Sequence, residues 1–316
     1  MIDNAELTHS PLGREGTVGV FGATSLVGAC LLPLLSAEGW QVTAFSRRAA
    51  GWAGDGVAWR QLPLTERPLP QTLDKTAGHS AGQSKDGVTP HWICVAPIWV
   101  LPDYFGLLDA QGARRVVVLS STSRFTKDDS TDPEEQVIAL RLADAEARVQ
   151  EWAESRGVEW VILRPTLIYG LGMDKNITEI ARFIRRFGFF PLFGKASGLR
   201  QPIHSGDVAG VCLAALQTPC AANRAYNISG GETLTYRDMV TRVFTALGRR
   251  SRLLAVPLWA FSLAVAMLRR LPRYRQWSTA MAERMSRDLV FDHAEAARDL
   301  GFKPRAFVLS GGDLPK

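Results

Sequence analysis

Residues 17–28 read TVGVFGATSLVG: a short apolar run, then Gly22 and Gly28 bracketing the start of a helical pattern. A strand that turns into a helix this quickly needs a residue without a Cβ at the turn, and Gly22 meets that need. Gly28 lets the helix pack close to the strand. Between them, the first N–H groups of the helix have no intrahelical acceptor and can face an anion such as a pyrophosphate. A tight turn of this kind can also serve packing alone, so its context matters.

The context is a regular alternation. Thr17–Phe21 reads as a buried strand, 25–37 as a helix stopped before Gly39, and Gln41–Phe45 as a second strand. Strands are also expected at 57–62, 91–96, 115–120 and 160–164, with a long helix over 134–156 ended by Gly157. This alternation predicts an α/β fold with a doubly wound parallel sheet and ligands at the carboxyl ends of its strands. Residues 1–16 read as a flexible polar tail, 17–170 as a dinucleotide-binding domain with a loop insertion at 71–90, and 171–316 as a smaller, mostly helical C-terminal substrate lobe. Within that lobe, 199–204 and 225–229 read as strands returning to the sheet across 199–229. Helices are expected at 178–187, at 236–247 behind a Thr235 cap, and at 292–300. Asp207 is expected to cap another helix.

Composition narrows the function. The chain has 316 residues, 46% of them hydrophobic and 22% charged, with net charge +6. These values suit a globular protein with a sizeable core and anionic ligands. Positive charge alone does not make a nucleic-acid partner, and none is expected. Cys30, Cys94, Cys212 and Cys220 form no CxxC pair, and no metal-ligand spacing occurs, so no metal is expected. The polar N-terminal stretch lacks a basic start and an apolar run, which points to a cytoplasmic protein. The apolar run 253–268, flanked by arginines, is short for a bilayer span. It reads as a helix packed in the smaller lobe or as a peripheral membrane contact. His204 reads as a core or strand-edge histidine.

FGATSLVG (21–28) resembles the glycine motif of the short-chain dehydrogenase/reductase superfamily, in its extended and atypical, epimerase/dehydratase-like branches. VLSSTS (118–123), ILRPTLIYG (162–170) and RQPIHSGDVA (200–209) resemble further family segments, so the likeness runs from about residue 17 to 240. It implies a Rossmann fold and a nicotinamide cofactor held by Gly22, Thr24, Ser25, Leu26, Val27, Gly28, Ser46, Arg47, Arg48 and Pro165. Ser25 replaces the middle glycine of the family pattern. Its side chain either crowds the pyrophosphate or donates a hydrogen bond to it, and the second is favoured. No acid lies between Gln41 and Gly54, while Arg47 and Arg48 follow the second strand. Arginine there pairs with a 2′-phosphate, so NADP(H) is favoured over NAD(H).

One departure stands out. The family's acid/base is a Tyr with a Lys four residues later, ahead of an Ala-Glu pair. Ala145 and Glu146 match that pair, and counting back puts Ile138 and Leu142 where Tyr and Lys are expected. No Tyr lies between Tyr104 and Tyr169. Ser121 matches the substrate-orienting serine, Tyr169 is a substitute catalytic candidate, and Arg200 is a candidate for substrate binding. Two readings stay open. One is an NADP(H)-dependent epimerase/dehydratase- or reductase-like oxidoreductase acting on a small or nucleotide-linked substrate. The other is a non-catalytic NADP(H)-binding structural or sensing subunit, such as an accessory subunit of respiratory complex I, with possible peripheral membrane contact.

Overall fold

Valines and leucines in unbroken runs require burial on both faces of a sheet, and the chain provides it. The computed structural model describes residues 16–47, 56–62, 88–126, 133–257 and 285–315. Seven parallel strands form one sheet: β1 (Thr17–Phe21), β2 (Gln41–Ser46), β3 (Val57–Gln61), β4 (His91–Cys94), β5 (Arg115–Leu119), β6 (Glu159–Pro165) and β11 (Arg224–Ile228). Their spatial order is β11-β6-β5-β4-β1-β2-β3, which reverses direction between β1 and β4. The crossovers diverge there, and a crevice opens at the carboxyl ends of the strands.

Side chains alternate between two cores along each strand. Val18, Val20, Val117 and Leu119 face α1 (Leu26–Ala37) and α6 (Ser205–Gln217), where Leu31, Leu35, Val208 and Cys212 are buried. Phe21, Val116 and Val118 face the opposite layer, with Leu142 and Val149 of α4 (Pro133–Arg156). A 3-10 turn at Ile98–Tyr104 and α2 (Phe105–Ala110) complete that layer. A third core lies between α5 (Ile177–Phe187) and α7 (Tyr236–Ala246), built on Ile180, Ile184, Val240 and Phe244. Thr235 caps α7 as expected, its hydroxyl accepting from Asp238 N at 3.1 Å.

Three expectations need correction. The stretch 199–204 does not return to the main sheet. Instead β9 (Leu199–Arg200) pairs antiparallel with β12 (Leu234–Thr235), and β10 (Ile203–His204) pairs parallel with β7 (Ile168–Tyr169). Pro202 stands between the two ladders and has no N–H to carry one through. Leu253–Val256 is not helical: it is β13, parallel to β8 (Phe190–Phe193). The rest of the 253–268 run beyond Pro257 lies outside the described residues, as do 1–15, Arg48 and 71–87. Finally, α6 is capped by His204, whose Nδ1 accepts from Gly206 N at 3.0 Å. Asp207 sits one turn in and holds Arg305, accepting from its Nε at 2.9 Å.

The cap fixes the tautomer of His204, because Nδ1 accepts and Nε2 must carry the proton. Nε2 lies 3.1 Å from Asp313 Oδ1, tying the C-terminal segment across the small lobe. Ser310 donates to the same carboxylate from N at 2.8 Å and from Oγ at 2.6 Å. Burial alone would raise the Asp313 pKa, but the Ser310 and His204 bonds outweigh it and hold the pKa below the ordinary value. A depressed carboxylate contributes stability above its unfolded pKa of about 4, and that contribution is lost as pH falls through the folded value. Asp313→Asn is therefore expected to cost about 1–3 kcal/mol at neutral pH and less in acid. Urea titrations of both proteins at pH 7 and pH 3 would show an equal gap if the latch carried no ionic component.

Candidate active site

The crevice begins at the glycine turn. Gly22 has φ +78°, and a Cβ there would stand 2.5 Å from Ala96 N. The chain leaving β4 can therefore pass directly beneath the turn. Ser25 is the N-cap of α1, and its Oγ accepts from Gly28 N at 3.1 Å. Ala29 N reaches Ser25 O at 2.9 Å. Of the four N–H groups a helix start leaves over, Leu26 and Val27 retain theirs. The Ser25 hydroxyl keeps its own proton for donation, since its oxygen is the acceptor toward Gly28.

A cavity of about 390 Å³ opens beside this turn. Ser25, Leu26 and Val27 form one wall, and Val95–Trp99 after β4 form the floor. Leu119, Ser120, Ser121 and Ser123 line the side below β5, and Pro165 and Ile168 line it beyond β6. Ile138 and Leu142 of α4 close the remaining side. The structure thus brings Ser121 together with the two apolar residues that the sequence places at the Tyr and Lys positions. Among the described lining residues, the protic side chains are four serines and Trp99; no Tyr, Lys, His, Asp or Glu lines the cavity. Ser121 Oγ accepts from Ser123 N at 3.1 Å, which leaves its proton free to donate toward a ligand.

The other sequence candidates fall elsewhere. Tyr169 is fully buried, and its hydroxyl donates to Val308 O at 3.4 Å. Its ring stands edge-on to His204 and Phe307, and burial pushes its pKa up to about 12. That corrects its expected catalytic role: a phenol sealed in the small lobe cannot exchange protons with a ligand in the crevice. Arg200 is 4% exposed and donates to Leu199 O and Arg287 O, both at 2.7 Å. It joins β9 to the 287–289 segment and lies over the Tyr236 ring, so substrate binding is corrected to a packing role. Ser46 is buried at the end of β2, while Arg47 and Thr24 are exposed.

Sequence reading named Glu146 only as an alignment marker and passed over its partners. It is fully buried on α4 and accepts from Ser120 Oγ at 2.5 Å, directly beneath the cavity. Arg164 donates to it from Nε at 3.1 Å and from Nη2 at 2.7 Å, and Arg124 pairs with the same carboxylate. Burial lowers the pKa of both guanidiniums, and for Arg124 the charge of Arg164 adds to that. A signal was available, because Glu146 sits among Leu142, Ala145 and Val149 on the apolar face of α4. An acid there must find partners. The Val95–Trp99 floor was also readable, since it follows a strand at the ligand edge of the sheet.

Residues 105–229 match the model of the NAD dependent epimerase/dehydratase family. A UDP-glucose 4-epimerase of Vibrio cholerae is 24% identical over 187 residues, covering 59% of this chain and 54% of that protein. The mitochondrial NADH dehydrogenase [ubiquinone] 1 alpha subcomplex subunit 9 of Arabidopsis thaliana is 26% identical over 128 residues, covering 40% of this chain and 31% of that protein. The matches thus span about half of the first of these relatives and less of the second. Among solved structures, UDP-glucuronic acid 4-epimerase from Bacillus cereus in complex with NAD superimposes with TM-score 0.66 at 13% identity. That superposition covers 94% of this chain and 95% of the other, and it shows the shared fold.

Proposed function

We propose that the chain is an extended short-chain dehydrogenase/reductase-like protein of the epimerase/dehydratase kind, and that it binds a nicotinamide dinucleotide, NADP(H) in preference to NAD(H), without the family's Tyr-Lys couple. The observation that carries this reading is the cavity lining, which joins the helix start at Ser25, Leu26 and Val27 to Ser121, Ile138 and Leu142. The residues present fit the cofactor. Leu26 N–H, Val27 N–H and the Ser25 hydroxyl converge where a pyrophosphate needs donors. Gly22 and Gly28 let them approach, and Thr24 completes the turn. Ser46 ends the strand expected to meet the adenosine ribose, Arg47 and Arg48 follow it in sequence, and Pro165 lines the cavity.

A bound nicotinamide ring supplies hydride donor or acceptor chemistry. The chain's own contribution is narrower. Ser121 can donate a hydrogen bond to a ligand oxygen and orient it. Val95, Ala96, Ile98 and Trp99 exclude water from one side. A serine held this way is not a proton store, because its alkoxide is far too basic at neutral pH. Turnover of a small or nucleotide-linked carbonyl substrate is thus expected to be slow, with its proton drawn from the ligand or from water. A described lining whose protic side chains are four serines and Trp99 also favours a second reading, a non-catalytic cofactor-binding subunit.

Calorimetric titration with NADPH and NADH tests the first claim. Tighter NADPH binding, with Arg47→Asp reducing the preference by about tenfold, is the expected outcome. Equal or tighter NADH binding would remove the NADP(H) assignment. NADPH consumption against carbonyls, sugar nucleotides and quinones separates the two readings. Any turnover abolished by Ser121→Ala supports an enzyme; bound cofactor with no turnover across the panel supports the subunit.

A further inference from the structure

Two acid-free stretches hold the chain's excess positive charge. Residues 180–206 contain five Arg or Lys and residues 239–282 contain eight, with no Asp or Glu in either. Those are thirteen of 37 basic residues, leaving 24 against 31 acidic residues in the rest of the chain. A net charge of +6 therefore conceals a strongly dipolar distribution. Uniform basicity would serve solubility alone, whereas a segregated charge creates a directed field.

The fold brings the described parts of both stretches to one end of the small lobe. Phe190 N donates to Arg252 O at 3.0 Å where β8 and β13 begin. Arg249 Nη1 donates to Ile184 O at 2.9 Å and Arg185 O at 3.2 Å, joining the segment after α7 to the last turn of α5. Arg249 and Arg185 are thus partly used in holding this end together. Arg186, Arg250 and Arg252 are exposed around the same junction. Large apolar side chains lie among them: Phe187 is 51% exposed and Leu254 52% exposed. The Arg186 guanidinium stands 5.3 Å from the Phe187 ring centroid. Basic residues in the last turn of a helix are ordinary complements of its dipole. That accounts for neither the arginines after α7 nor the exposed Phe187 and Leu254.

We infer that this end of the small lobe is a peripheral docking surface for an anionic bilayer. Guanidiniums attract lipid phosphates, while an exposed phenylalanine and leucine gain by entering the interface between headgroups and acyl chains. A nucleic-acid surface rewards the arginines but not the exposed Phe187 and Leu254. No described helix is long and apolar enough to cross a membrane, and the inferred contact is a superficial one. This surface does not depend on a helix at 253–268, and its members are all described residues. It is independent of cofactor binding, since none of these residues lines the cavity.

The test uses the full chain and vesicles of phosphatidylcholine with or without 30% phosphatidylglycerol. Co-sedimentation with the anionic vesicles at about 0.1 M salt, lost on neutral vesicles and at 0.5 M salt, is the expected pattern. The triple variant Arg186→Glu, Arg250→Glu, Arg252→Glu is expected to lower partitioning by at least a hundredfold, taking about fivefold per lost arginine before repulsion is added. Phe187→Ser with Leu254→Ser is expected to reduce it by about tenfold or more without changing the salt dependence. Unchanged thermal midpoints would confirm that the variants fold. The proposal is overturned if the wild type ignores phosphatidylglycerol, if the triple variant binds as the wild type does, or if the patch instead drives self-association or binds duplex DNA more tightly than vesicles.

Discussion

Gly28→Ala is expected to weaken NADPH binding by about a hundredfold or more and to lower the thermal midpoint. A methyl group at this position would stand 2.4 Å from Ala23 O, 2.6 Å from Gly22 O and 2.7 Å from Ala23 C. All three are backbone atoms of the turn, so no side chain can rotate away to make room. The start of α1 must move off the turn, and it carries Leu26 N–H, Val27 N–H and Ser25 with it. Overpacking of a well-filled site costs roughly 1–3 kcal/mol in stability. Displacing two or three donors from an anion costs a further 2–3 kcal/mol in binding, which is the expected hundredfold. Calorimetric titration of the folded variant decides the matter. Affinity within threefold of the wild type would mean that the helix start is not the cradle.

Glu146→Ala is expected to destabilise the protein by about 3–5 kcal/mol. The carboxylate is fully buried, and it compensates two guanidiniums whose side chains are 30% (Arg124) and 15% (Arg164) exposed. Deleting it removes the described counter-charge of both cations, the situation in which a broken buried ion pair is most costly. It also frees Ser120, whose hydroxyl then turns toward the cavity or goes unsatisfied. Glu146→Gln is expected to cost less, since an amide oxygen still accepts from one partner. The sum of Arg124→Leu and Glu146→Ala should exceed the double variant, because the first removes a cation that the second strands. Urea unfolding curves read all four variants. A Glu146→Ala protein within about 1 kcal/mol of the wild type would show that the cluster contributes little.

The parallel sheet was readable because the signals for its strands and helices are local. Continuous apolar runs of four to seven residues mark strands buried on both faces, and glycines and caps mark where helices begin and end. Thr235 caps its helix where the chain suggested, whereas the capping role of Ser25 appears only in the structure. The small lobe was less readable. Its ladders are two residues long, too short for any periodicity, and β13 was hidden in an apolar run that a helix could also use. Tyr169 shows the limit most clearly. Its position after β6 suggested a ligand-facing phenol, yet the ring turns toward Phe307, a partner 138 residues along the chain. The direction in which a side chain points depends on what packs against it, and distant partners leave no mark in the local sequence.

The amino-acid order by itself determined the doubly wound core and the glycine turn at its carboxyl edge. Both follow from backbone requirements and residue chemistry at single positions. Tertiary structure alone decided three further matters. It put Ile138, Leu142 and Ser121 around one cavity. It withdrew Tyr169 and Arg200 into packing roles. It also placed two arginines on the single buried carboxylate of Glu146. Each depends on side chains from separate elements meeting in space, where burial turns a marginal charge or hydroxyl into one with a large energetic consequence.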